Sequence, residues 1–200
     1  RSYELKIAAI KIFNTDIIFL CDTRLVSNKG VSGAKRLKDS MRDAKGRKYD
    51  VYTNSKSNSR GVAILIDTAM GVSPQETFLD PEENFLFLKI NINSTPVLLG
   101  SIYGPNTTGR DFFRRIGGIL DGNKDCQSII GGDWNTVWDR GSVENNVDIF
   151  RMQNLPNKCN RDLLREMAEK NLLFDPTRVL YPEAQLFTYA PFGNLRSNKS

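Results

Sequence analysis

Apolar residues in this chain come in short runs that stop abruptly on polar or turn-forming residues. Asp16 to Leu20 is almost wholly apolar and predicts a strand buried on both faces or at the centre of a sandwich. Gly61 to Asp67 (G-V-A-I-L-I-D) predicts a second buried strand, and Tyr49 to Thr53 an edge strand. Phe85 to Asn93 alternates in part and reads as a strand. The turn Asn93-Ser94-Thr95-Pro96 returns it to Val97 to Tyr103 as a hairpin. Ser128, Ile129 and Ile130 end a further buried strand, stopped by Gly131 and Gly132, and Gln185 to Tyr189 reads as a last one.

Helical spacing marks three other stretches. Tyr3 to Phe13 places Leu5, Ala9, Ile12 and Phe13 on one face. Arg110 to Leu120 places Phe112, Phe113, Ile116 and Ile119 together, with Thr107 or Thr108 as its cap. Asn160 would cap a helix from Arg161 to Asn171 with Leu163, Leu164 and Met167 inward. Gly30 to Lys48 is polar and basic, a loop with a short helix. Hairpin strands interspersed with helices predict an α/β sandwich of two packed sheets flanked by helices, in a single domain over residues 1–200. Phosphate-binding-loop and dinucleotide glycine patterns are absent.

Composition narrows the chemistry. The chain has no histidine, so Ser-His-Asp and Cys-His nucleophilic schemes fall away. Three cysteines without close pairing argue for a reducing compartment and against a disulfide framework or a four-ligand Cys/His zinc site. No apolar run approaches the ~20 residues of a membrane helix, so no membrane partner is expected. The net charge of +5 favours a polyanion weakly. Its distribution says more: from Arg24 to Lys48 stand nine Lys/Arg against Asp39 and Asp43.

Polar residues collect where the apolar runs stop. These are Asp22, Tyr103 with Asn106, and Asp133 with Asn135. In an extended segment residues two apart point the same way, so Asp133 and Asn135 would sit side by side at the mouth of a sheet. A carboxylate with an amide suits gripping water, a metal or a phosphate; equally, Gly, Asp and Asn are ordinary turn formers. Asp22 after a buried strand is a helix N-cap or the start of a turn, or equally a metal ligand at a sheet edge.

The segments D-I-I-F-L-C-D-T-R-L (16–25), G-V-A-I-L-I (61–66), S-I-Y-G-P-N (101–106), G-G-D-W-N-T (131–136) and L-Y-P-E with F-T-Y (180–189) form an ordered set. In this order and spacing the chain resembles the endonuclease domain of LINE-type (non-LTR) retrotransposons. That domain is a member of the exonuclease–endonuclease–phosphatase superfamily, with apurinic endonucleases and DNase I. The resemblance covers nearly the whole chain and implies a four-layer, DNase I-like α/β sandwich, here cut short at both ends. It implies an Mg2+-dependent endonuclease (Mn2+ as the alternative metal) acting in the nucleus, where it nicks double-stranded DNA to prime reverse transcription. It also implies a fused reverse transcriptase and, through it, the element RNA as a partner.

Carried over residue by residue, the resemblance gives roles. Asp22 stands at an acidic metal ligand that is usually glutamate. Asp133 orients or deprotonates the attacking water, and Asn135 hydrogen-bonds the scissile phosphate. Tyr103 reaches a phosphate oxygen, Asn106 supports the backbone-phosphate contact, and Thr188 touches DNA at the base of a projecting hairpin. Arg24, Lys29, Lys35 and Arg36 would position the duplex through its phosphates, and the hairpin tip at Phe192-Gly193-Asn194 would enter a groove. The family's N-terminal asparagine, a late acid and its Asp-His pair have no counterpart in these residues. Two other readings stay open: a same-fold phosphatase or apurinic-site nuclease, and a DNA-docking module without catalysis.

Overall fold

The computed structural model describes residues 3–12, 15–25, 31–42, 47–138 and 158–182. They fall into two compact units. The first takes in residues up to Pro105 together with Gly118–Trp134, and the second Asn106–Gly117 and the residues from Asn135 onward.

The first unit contains two sheets. β1 (Ile17–Cys21), β2 (Tyr49–Asn54) and β3 (Val62–Asp67) form an antiparallel sheet in the order β1-β3-β2. β4 (Glu76–Leu79), β5 (Phe85–Ile92), β6 (Thr95–Tyr103) and β7 (Gln127–Asp133) form a mixed sheet in that order. Asn93 and Ser94 close the β5–β6 hairpin with φ of 51° and 68°, the left-handed pair that a two-residue turn demands. β7 runs parallel to β6, which requires a crossover, and α3 (Arg110–Asp121) supplies it.

β3 explains the layering. Its run V-A-I-L-I is buried throughout because both of its faces are covered. Val62, Ile64 and Ile66 pack against Leu86, Leu88 and Ile90 of β5 and Val97 and Leu99 of β6, which joins the sheets face to face. Ala63 and Leu65 point the other way, onto Ile7 of α1 (Tyr3–Lys11) and Leu37 of α2 (Gly33–Ser40), with Met41 beside them. Ser101 Oγ on β6 donates to the Leu20 carbonyl on β1 at 3.0 Å, a polar tie between the sheets. The expected sandwich of two sheets with helices is therefore present, and no helix among the described residues is long and apolar enough to cross a membrane.

Several local expectations need correction. β1 is half-buried, not buried on both faces, because among the described strands it pairs only with β3. α1 turns Ile7 and Ile10 inward, leaving Leu5 at 61% and Ile12 at 80% exposure. With apolar residues on more than one side of the helix, contact with Leu37 and Met41 selects the face, not periodicity. Gly131 and Gly132 do not stop a strand; both lie inside β7, paired with Ser101 and Ile102. β4, a short and mostly exposed E-T-F-L strand, carries no pattern that announces it.

In the second unit the first turns of α3 bury Phe112, Phe113 and Ile116. Gly109, rather than Thr107 or Thr108, precedes the helix, its carbonyl accepting from Phe113 N–H. Asn160 is no cap: it lies inside α4 (Lys158–Lys170), fully buried. Its Nδ2 donates to Thr107 O and its Oδ1 accepts from Gly109 N–H, both at 2.8 Å, so it clamps the entry to α3. α5 (Pro176–Leu180) follows, capped by Asp175.

Candidate active site

Three strand ends of the first unit converge. Tyr103 at the end of β6 and Asp133 at the end of β7 are direct partners in the parallel ladder. Gly104 N–H donates to Asp133 O at 2.6 Å, and Tyr103 N–H to Asn84 O at 2.7 Å, fixing both backbones where the strands stop. Gly132 makes the approach possible. Its φ is 145°, and a Cβ there would lie 2.8 Å from the Ile102 carbonyl carbon and closer still to its oxygen. Across the sandwich, the Phe19 ring of β1 sits over Gly131, bringing the end of β1 to the same place.

The charges at these strand ends act on two titratable groups. Burial, then the negative charges of Asp22 and Asp133, push the Tyr103 phenol above its ordinary value, and Arg24 partly offsets them. Burial raises the Cys21 thiol, and the charge of Asp133 and then Asp22 adds to this. One phenol and one thiol thus feel both carboxylates. Tyr103 stays protonated at neutral pH and keeps an O–H to donate.

Asp22 is held in an unusual loop. Asp22 and Arg24 both have left-handed backbones, φ 49° and 50°. Such geometry costs a non-glycine residue about 1–2 kcal/mol. Arg24 grips the Asp22 carboxylate with two bonds, Nε to Oδ1 at 2.9 Å and Nη2 to Oδ2 at 2.8 Å. The pair is partly open to water, with 58% of the arginine and 35% of the aspartate side chain exposed. The guanidinium therefore lies on Asp22, a pairing not drawn from the sequence, although the i, i+2 placement of opposite charges was an available signal. Cys21 was likewise missed as a neighbour of both acids, although it directly precedes Asp22.

The remaining expected residues stand on other elements, in the other unit or outside the described residues. Asn135 and Asn106 belong to the second unit. β7 ends at Asp133 and Asn135 has φ 49°, so strand alternation does not carry through to Asn135 as the extended reading required. Asn106 is exposed. Lys35 and Arg36 lie on α2, whose N-cap Ser32 accepts from Lys35 N–H at 3.2 Å. Lys29, Thr188 and the expected hairpin at 190–198 lie outside the described residues.

Among the described residues no group of three or more His, Cys, Asp or Glu stands together. Asp22 and Asp133 are the two carboxylates at these strand ends, and Mg2+ is a cation that takes only one or two carboxylates and keeps several waters. Arg24 uses one lone pair on each Asp22 oxygen and leaves the others.

No protein-family model matches the sequence. The fold, however, has solved counterparts. An AP endonuclease, LMAP, from Leishmania major superposes with a TM-score of 0.67 at 17% identity, over 88% of this chain and 63% of that one. An AP endonuclease from Archaeoglobus fulgidus gives 0.64 at 17% identity, over 96% and 73%. The 3'-5' exonuclease NExo from Neisseria meningitidis gives 0.64 at 14% identity, over 95% and 76%. The chain spans under two thirds of the length of the Leishmania enzyme. With two packed sheets, flanking helices and these counterparts, the chain has the α/β sandwich fold of DNase I-like AP endonucleases.

Proposed function

We propose that this chain is a divalent-metal-dependent DNA endonuclease that nicks a target strand to prime reverse transcription of a non-LTR retrotransposon. The observation that carries the nuclease reading is the meeting of Asp22, Tyr103 and Asp133 from three strand ends in one unit. The fold shared with two AP endonucleases and an exonuclease supports it. The retrotransposon assignment rests on the ordered sequence segments alone.

Phosphodiester hydrolysis needs an in-line water, a base to orient it and positive charge or donors for the developing oxyanion. Asp133, exposed at the end of β7, accepts a proton from water and orients it. Tyr103, whose pKa is raised by burial and then by the two carboxylates, keeps its O–H to donate to a phosphate oxygen. Asp22, with Asp133 nearby, would hold the metal. When bound, Mg2+ supplies the positive charge that polarises the phosphate and stabilises the leaving 3′ oxygen. Asn135 and Asn106 are assigned to phosphate contacts, and Lys35 and Arg36 on α2 to duplex positioning, which makes binding salt-sensitive. Double-stranded DNA in the nucleus is the proposed substrate, with element RNA reached through a fused reverse transcriptase.

The test is nicking of supercoiled plasmid with Mg2+, Mn2+ or chelator, by the 200-residue chain and by a version extended at both ends. Cutting that needs the metal, and that Asp133→Ala abolishes while DNA binding persists, is the expected result. Binding without cutting in both versions would leave a docking module. A second reading, an apurinic-site nuclease, is favoured by the two AP endonuclease counterparts. Preferential cutting of an abasic duplex over an intact one would select it.

A further inference from the structure

The loop between β2 and β3, residues 55–61, lies between the Asp22 loop and the turn from β4 to β5. Toward Asp22 it meets three consecutive amides. Thr23 N–H donates to Gly61 O and Arg24 N–H to Arg60 O, each at 2.9 Å, and Leu25 N–H to Ser55 Oγ at 2.8 Å. Toward the turn it meets Glu83, only 8% exposed. Glu83 Oε2 accepts from Lys56 N–H at 2.8 Å, and from Ser57 N–H and Ser57 Oγ at 3.0 Å. Burial alone would raise this carboxyl, but these donors outweigh it and hold its pKa below the ordinary value.

The same turn also holds the other side of the site. Asn84 O accepts from Tyr103 N–H, and Asn84 N–H donates to Asp80 Oδ2 at 3.0 Å. Asn54, buried at the end of β2, donates to Asp80 O and Phe85 O and so ties the turn to the strand before the loop. The turn thus sets Tyr103 directly and the Asp22 loop through residues 55–61. Left-handed backbones at Asp22 and Arg24 persist only where the surroundings over-determine them, and the three amide bonds are that restraint.

We infer that Glu83 is a positioning residue of the candidate active site: its carboxylate locks loop 55–61, and that loop sets where Asp22 and Arg24 stand relative to Tyr103. The catalytic part of this inference rests on the nuclease reading above; the structural part does not. Bonds to an ionised carboxylate are roughly twice as strong as neutral ones, so neutralising Glu83 loosens the lock without leaving a void.

The experiment compares Glu83→Gln with the unchanged 200-residue chain by amide hydrogen exchange and by plasmid nicking. Exchange at Thr23, Arg24 and Leu25 is expected to quicken about fivefold or more, with β5 amides such as Leu88 unchanged, since the opening is local. The nicking kcat is expected to fall about tenfold while KM for DNA stays within about twofold, the split expected when geometry rather than binding is disturbed. Ser55→Ala removes the acceptor for Leu25 N–H alone. It is expected to lower kcat in the same way, and Ser57→Ala, which removes the Ser57 Oγ donor to Glu83, decides the matter by the same exchange readout if Glu83→Gln does not fold. Unchanged exchange at residues 23–25 in a folded variant overturns the inference, as does quickened exchange with unchanged kcat. If the unchanged chain does not nick DNA, the nuclease reading fails, and the exchange result alone decides whether Glu83 holds the loop.

Discussion

Gly104→Ala isolates the geometry that the candidate site depends on. Gly104 follows Tyr103, and its N–H bonds to Asp133 O. A Cβ at this position would lie 2.5 Å from the Trp134 carbonyl carbon, closer still to its oxygen, and 2.9 Å from its Cα. These are backbone atoms and cannot rotate away. Ordinary contact begins at 3.4 Å, so the ends of β6 and β7 must separate by about 0.9 Å to relieve the carbon and by more to relieve the nearer oxygen. Gly104 is not in the left-handed region, so the cost is steric rather than conformational. Overpacking of this kind costs about 1–3 kcal/mol. For a chain of this size that lowers Tm by about 2–12 °C in a thermal melt. A shift of about 1 Å between reacting groups costs about 100-fold in rate, so kcat falls far more than the folded fraction does. Gly118→Ala in α3 is the control. Nothing lies within 4 Å of its Cβ. It should gain about 0.5–1 kcal/mol of helix stability and leave the rate alone. A Gly104→Ala chain with unchanged Tm would refute the steric argument. One with a lowered Tm but an unchanged rate per folded molecule would refute the claim that Tyr103–Asp133 spacing matters.

Other perturbations have equally definite outcomes. Arg24→Ala removes a positive charge that lowers the Tyr103 pKa, so the phenol should titrate at still higher pH by ultraviolet absorbance, with little change in Tm for so exposed a pair. Glu83 has a folded pKa below its ordinary value of 4.5, so its stabilisation is present above that value and is lost as pH falls through the lowered one. Melts from about pH 6 to 3 should therefore show an acid limb that Glu83→Gln flattens. Leu88→Ala empties the fully buried space between the sheets and should cost about 2–5 kcal/mol by denaturant titration, against about 0.5–1.5 for Ile64→Val.

The strands were legible wherever apolar runs were long or a turn was chemically marked. V-A-I-L-I has no polar position to expose, so it had to be covered on both sides, and β3 is. The hairpin at Asn93-Ser94 was legible because asparagine tolerates the left-handed backbone found there. What failed were choices among equivalent local patterns. α1 has apolar residues on more than one side, and only the presence of Leu37 and Met41 picks Ile7 and Ile10. Asn160 has the chemistry of a cap, yet its partners, Thr107 and Gly109, lie about fifty residues earlier.

The candidate site divides in the same way. Residue types and the ends of apolar runs were enough to single out Asp22, Tyr103 and Asp133, because carboxylates and a phenol where apolar runs stop need a reason to be there. Their meeting was not in the sequence. It required the parallel register that sets Tyr103 opposite Asp133, the glycine that lets β7 come so close to β6, and the packing of one sheet on the other that brings Asp22 across. The same holds for Arg24 on Asp22 and for Glu83 behind the loop. Local pattern decides which residues sit at strand ends, but register and sheet packing decide which ends meet, since those contacts join residues tens of positions apart.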